Sequence, residues 1–332
     1  GWDIFKLHRA CKGRELQVIG WTVLQRWEMI HTFGLDTHTV KRWLAFVQDN
    51  YNQTEYHNST HAADVLQAVY FMLTRAKAES YLSEIEIFAL LIATMVHDMG
   101  HDGLNNLYHK NALTDRALTH NDTSIQENHH IMTFFQTLSE NQSINILAPF
   151  DSKQYTEIRR MIITIVLSTD MSKHFIFLKD FQTLITAKGQ VPAEWSDSTD
   201  VVMCAIMHIC DISNPARPRD LAVEWTDRCL SEFFRQGEME KAQGLPISPQ
   251  CNRETTSTPA SQVGFIKFIV LPTYTVLGTM LPEVQETCVK CCQANLEFWQ
   301  EAAAREKEQR GGGISPMRDS LTPLAPTNPP VN

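Results

Sequence analysis

The chain has 332 residues, 43% of them hydrophobic and 20% charged, enough to bury one large core or two modest ones as a globular protein. Its formal net charge of −9 excludes a general nucleic-acid surface, which depends on clustered Lys and Arg, while a small anionic substrate fits where metals supply positive charge locally. No run of 18 apolar residues occurs, and the most apolar window, Ile85 to Val96, is interrupted by Glu86, so no transmembrane segment is expected.

Apolar residues recur at i, i+3, i+4 and i+7 through "HAADVLQAVYFMLTRA", "EIEIFALLIATMV" and "EIRRMIITIVLSTDM", and strand signals are scarce. The prediction is an all-α fold, a compact multi-helix bundle. Ser83 and Glu86 have capping-box spacing, and Asp122 to Ser124 precede "IQENHHIMTFF". Breaks at "APFDSKQ", "AKGQVPAEWSDSTD", "NPARPRD" and "GLPISPQCNRETTSTPAS" read as loops between helices. The segment from Gly311, rich in Gly, Pro and Ser, reads as disordered, giving one domain over 1–305 and a tail over 306–332.

Eight Cys, several inside apolar helical patterns, read as buried free thiols of a reducing compartment, and "CVKCC" as structural. A cytoplasmic location is the matching expectation. The chain opens Gly-Trp-Asp without an initiator Met, so regulatory and targeting segments are expected outside it. Its oligomeric state is not legible.

Eight of the 13 His fall between His57 and His130, a density of imidazole that suggests metal. His57 and His61 lie four residues apart and share one face if that stretch is helical. His97, Asp98 and His101 in "MVHDMGHDG" crowd the end of a second helix, and Asp211 follows a third apolar segment just before Asn214-Pro215. The middle motif admits two readings. It resembles the H-E-x-x-H of zinc proteases with a shortened acid, or it is part of a looser centre in which Asp98 bridges two ions. Gly100 weakens the helix that the protease reading needs.

The ordered strings "YHNSTHAADV", "HDMGHDG", "NDTSIQENHH", "LSTDMSKH", "DISNPARP", "EFFRQGE" and "SQVGFI" resemble the catalytic domain of class I cyclic nucleotide phosphodiesterases, up to about Gln300. The resemblance implies an all-helical domain with a binuclear metal centre that hydrolyses a 3′,5′-cyclic phosphodiester to the 5′-monophosphate. His61, His97, Asp98 and Asp211 match the ligands of a tight site, usually Zn2+. Asp98 also matches the bridge to a second ion, Mg2+ or Mn2+. His101, Asn106 and Glu127 match residues around the metal-bound waters.

His57 matches the general acid that protonates the departing 3′ oxygen, the alternative being a fifth ligand. Gln262 and Phe265, spaced i, i+3, match the purine-binding glutamine and its stacking partner. Tyr56, Met171, Ile212, Asn214, Phe233, Trp225 and Asn295 match other pocket positions, the two asparagines on the cAMP-contacting side. Ala222 replaces a bulky tyrosine and widens the pocket. These matches favour cAMP, with cGMP admitted by rotation of the glutamine amide. The departures "HDMGHDG" and "NPARPRD" suggest a divergent lineage, with a protozoan member of kinetoplastid type as the expectation. An HD-type nucleotide phosphohydrolase and a non-catalytic cyclic nucleotide sensor are the competing readings.

Overall fold

A computed structural model describes residues 2–311, with side chains through 309. Among these residues every regular element is helical, as the periodicity predicts, and no strand occurs. The centre of the bundle is the helix Glu84–Val96, in which every residue from Ile87 to Val96 is buried. Ser83 and Glu86 close the expected capping box at its start. Helices Glu15–Arg26, Ser59–Thr74, Ser152–Leu167 and Thr199–Asp211 pack around it. A helix apolar on all sides demands such surroundings.

Three departures from expectation bear on the site. Helix Ser59–Thr74 begins later than "YHNSTHAADVL" suggested, because the side chain of Asn58 accepts from the N–H groups of Thr60 and His61 and caps it there. His57 therefore lies outside the helix, and the two imidazoles do not share a helical face. Ser124 does precede helix Ile125–Glu140, but in a left-handed conformation and with its hydroxyl given to Asp170 at 2.6 Å instead of to the helix end. The last helix, Lys290–Gly311, runs past the boundary expected at residue 305. The rest of the expected tail lies outside the described residues.

Thr258–Met280 forms one continuous 23-residue stretch that is long and apolar enough to cross a membrane by length and composition, with mean hydropathy 1.5. Sequence inspection overlooked it because Gln262, Lys267 and Pro272 interrupt the apolar run. Core helices of globular domains have the same composition, and 39% of this window is buried in the bundle. All eight Cys are free; Cys204, Cys210, Cys251 and Cys292 are buried and the others half-buried.

Candidate metal centre

Helix Glu84–Val96 ends at His97, and Gly100 and Gly103 follow with φ of 78° and 79°, a left-handed conformation that glycine adopts without a Cβ penalty. The chain thus turns sharply within "HDMGHDG". A continuous protease-type helix is absent there, and His97 and Asp98 are left projecting together. His61 arrives from the first turn of its capped helix, and Asp211 is the final residue of Thr199–Asp211.

These four side chains converge, with one ligand atom from each lying within 4.8 Å of the others. His61 Nε2 is 3.0 Å from Asp211 Oδ1 and 3.5 Å from Asp98 Oδ2, and His97 Nε2 is 3.1 Å from Asp98 Oδ2 and 3.3 Å from Asp211 Oδ1. His97 uses Nδ1 to donate to the carbonyl of Thr94 at 2.9 Å, which fixes the ring and turns Nε2 toward the carboxylates. No Lys or Arg pairs with Asp98 or Asp211 among the described residues. Burial works against a charged His97, yet Asp98 and Asp211 hold its pKa well above the ordinary value. Two imidazoles and two carboxylates facing one another in a buried site fit a divalent cation, which satisfies lone pairs that otherwise need protons.

Beside this centre His57 and His101 stack, ring centroids 4.0 Å apart at 17°, and His130 continues the stack 5.5 Å beyond His101. His57 Nδ1 lies 2.5 Å from Glu232 Oε1, and the other Glu232 oxygen accepts from the backbone N–H groups of Tyr56 and His57. Burial disfavours the imidazolium, but the Glu232 carboxylate outweighs it and lifts His57 to about 9. Burial would likewise raise Glu232, and His57 instead brings it down to about 2. His101 is held well below its ordinary value, first by burial and then by the charge of His57.

A cleft of about 400 Å³ opens here, lined by His57, Asp98, His101, Asn106, Glu127, Met171, Asp211 and Phe233 among others. Glu127 accepts from Asn106 Nδ2 at 3.0 Å, and burial raises its pKa to about 7. The ligand carboxylates Asp98 and Asp211, the stacked imidazoles and this half-neutral carboxyl therefore share one cavity.

The purine-side expectations fare unevenly. Gln262 and Phe265 do lie on one helix, Thr258–Phe265, but neither lines the cleft, and the Gln262 amide has no protein partner among the described residues. Tyr56 donates its hydroxyl to Asn214 Oδ1 at 2.5 Å, leaving Asn214 Nδ2 buried without a partner. Ile212 is buried at the end of its helix, and Trp225, only 1% exposed, is core against Phe5 and Tyr56. Asn295 is displaced from its expected role: it is 3% exposed and donates to the carbonyls of Pro215 and Arg217, so its amide braces the loop from behind.

Sequence reasoning missed Glu232, Asp170 and His130. Glu232 contacts a histidine 175 residues away, a separation with no spacing signal. The one available hint is an acid set among the apolar residues of "CLSEFF". His130 donates Nδ1–H to the Met99 carbonyl and turns Nε2 to within 3.7 Å of Asp98.

Fold and centre together define a helical domain whose ligand set is that of a divalent-metal site. The family of 3′5′-cyclic nucleotide phosphodiesterases matches residues 56–292, and the chain belongs to that family. It is 35% identical over 308 residues to the 3′,5′-cyclic-AMP phosphodiesterase 4C of Rattus norvegicus, covering 90% of this chain and 57% of that protein. It is also 35% identical over 285 residues to the dual specificity calcium/calmodulin-dependent 3′,5′-cyclic nucleotide phosphodiesterase 1C of Mus musculus, covering 85% and 40%. The solved phosphodiesterase domain of Salpingoeca rosetta rhodopsin phosphodiesterase is similar with TM-score 0.84 at 31% identity, covering 90% of each chain. The chain spans about half the length of the curated relatives it matches.

Proposed function

We propose that this domain hydrolyses 3′,5′-cyclic nucleotides to nucleoside 5′-monophosphates, with cAMP favoured and cGMP accepted. The carrying observation is that the two carboxylates of a four-residue metal-ligand set, Asp98 and Asp211, and a carboxylate-paired histidine line one cleft of about 400 Å³. His61, His97, Asp98 and Asp211 would hold Zn2+, and Asp98, facing the water-accessible cleft near Glu127, would share a second ion, Mg2+ or Mn2+. When bound, these ions supply the positive charge that an anionic phosphodiester and an attacking water both need.

The protein's own groups account for the other requirements. Glu232 holds His57 in its protonated form and occupies Nδ1, so the proton available to the departing 3′ oxygen is the one on Nε2. His101 accepts from the Gly103 N–H through Nδ1 at 2.9 Å, which leaves its own Nε2–H to orient oxygen ligands in the cleft. Asn106 and Glu127 add a donor and a half-protonated carboxyl to the same wall.

Base selection falls to Gln262 and Asn214, since Asn295 is occupied by backbone. With its oxygen taken by Tyr56, Asn214 offers a donor, which suits N7 of either purine. An unpinned Gln262 amide presents the donor and acceptor pattern that each base requires, so the preference for cAMP should be modest. The test is kcat/KM for cAMP and cGMP on one Zn/Mg-loaded sample, with an EDTA-treated control and a dNTP panel. Preferential triphosphate cleavage, or cAMP binding without turnover, would overturn the reading.

A further inference from the structure

The loop that carries His101 is clamped to the helix that carries Glu127 by a carboxylate outside the cleft. Asp102 Oδ1 accepts from Gln126 Nε2 at 2.7 Å and from the Leu104 N–H at 3.2 Å, while Oδ2 lies 3.2 Å from Arg116 Nη1. His109 turns Nε2 to the same Oδ1 at 3.3 Å. Arg116 in turn donates to Gln126 Oε1 at 2.6 Å and to the Gly100 carbonyl at 3.1 Å. One carboxylate thus ties the turn after Asp98 to three helices, Asn106–Asn111, Asp115–His120 and Ile125–Glu140.

We propose that Asp102 is a positioning residue for the second divalent ion: acting through Gln126, it sets Asn106 and Glu127 and so tunes the affinity of the cleft for that ion, leaving the four-residue zinc set alone. The proposal rests on the two-ion reading given above. Asp102 itself does not line the cleft, whereas Gln126, Asn106 and Glu127 do.

The route runs through a helix end. Gln126 stands in the first turn of Ile125–Glu140, where a backbone N–H has no intrahelical acceptor. Ser124 offers no cap, since its hydroxyl goes to Asp170. Asn106 supplies the acceptor instead, taking the Gln126 N–H on Oδ1 at 2.9 Å, and this leaves Nδ2 to meet Glu127 at 3.0 Å. The orientation of the Asn106 amide therefore depends on its spacing from that first turn. The Gln126 side chain fixes the spacing: only 3% exposed, it spans from Asp102 to the Leu104 carbonyl, 2.6 Å away. Without Asp102 the buried amide loses an acceptor and Arg116 its counter-charge, and both must re-pair with what remains, His109 Nε2 at 3.1 Å from the amide included. The zinc set has separate supports, with His97 held by the Thr94 carbonyl and the helix of His61 capped by Asn58.

The test measures Mn2+ binding to the Zn-loaded protein from the fall in the electron paramagnetic resonance signal of free Mn2+, with zinc content by elemental analysis. Asp102→Ala should raise the Mn2+ Kd about tenfold at unchanged zinc content, the low end of what supporting residues around a metal are worth. Asp102→Asn keeps an oxygen for Gln126 and should raise it about threefold, which serves where the alanine variant does not fold. Asp200→Ala breaks the ion pair with Arg160 outside the cleft, controls for lost charge pairing, and should leave Mn2+ binding unchanged. Because the route is Gln126, a double variant of Asp102→Ala with Gln126→Ala should bind Mn2+ no more weakly than Gln126→Ala alone. An unchanged Mn2+ Kd in the Asp102 variants, an equal loss of zinc, or additive effects in the double variant would each overturn the proposal. A Zn-loaded wild type that binds no Mn2+ would fail the two-ion reading and Asp102 with it, whereas a Mn2+ site indifferent to Asp102 fails the positioning role alone.

Discussion

At the metal-binding end, His61, His97, Asp98 and Asp211 are carried by helix termini that the core holds fixed, and each ring or carboxylate has another ligand group within 3.5 Å. At the end proposed to hold the base, Gln262 has no hydrogen-bond partner among the described residues, Asn214 is held through one atom, and Asn295 gives its amide to backbone carbonyls. The contrast shows where tolerance lies in this domain. A cation demands several donors placed to within tenths of an ångström, whereas a base edge accepts whichever pattern a rotating amide presents.

The largest effect should come from the fixed end. Asp211→Ala removes a ligand and exposes two imidazoles to each other, so metal content measured by elemental analysis should fall and turnover should drop to the level of the EDTA-treated control. Full metal content in this variant would break the comparison. His57→Ala should retain metal and lower kcat by about 10²–10⁴, the range for a lost proton donor. Loss of metal instead would make His57 a fifth ligand.

Glu232→Gln should act through pH. His57 stays protonated below its raised pKa of about 9 and loses the proton above it. Without the carboxylate, burial dominates and lowers that pKa. The alkaline limb of kcat/KM should therefore move to lower pH, and an unmoved limb would sever Glu232 from proton donation.

Effects at the purine end should be smaller. Gln262→Ala should raise KM about tenfold with a lesser change in kcat, since it removes binding common to ground and transition states. Tyr56→Phe should shift the cAMP/cGMP ratio of kcat/KM by a few-fold, about the worth of one neutral hydrogen bond, by freeing the Asn214 amide. A ratio unchanged in Tyr56→Phe would mean that Asn214 does not face the base.

This division also governed what could be read in advance. The helical bundle was legible because periodicity and capping residues are local properties of a sequence, and His97 with Asp98 stood out as neighbours, whereas His61 and Asp211, distant in the chain, joined them only through the resemblance to a family. Glu232 was not, since its partner is distant in the chain and met only through packing. Asn295 was misplaced because a chemically suitable side chain carries no mark of which way it faces. The start of helix Ser59–Thr74 was misjudged by a few residues through the Asn58 cap, a one-residue decision that periodicity does not register.

That cap has an evolutionary corollary. Because the helix starts beyond Asn58, His61 inherits a rigid register from the core, while the position of His57 depends on the irregular segment Asn52–His57 and on Glu232. Insertions or deletions in that segment reposition His57, the proposed proton donor, without shifting His61, the proposed metal ligand. The two proposed duties are mechanically uncoupled over a span of four residues, so loop length can reposition one imidazole while the other keeps its register.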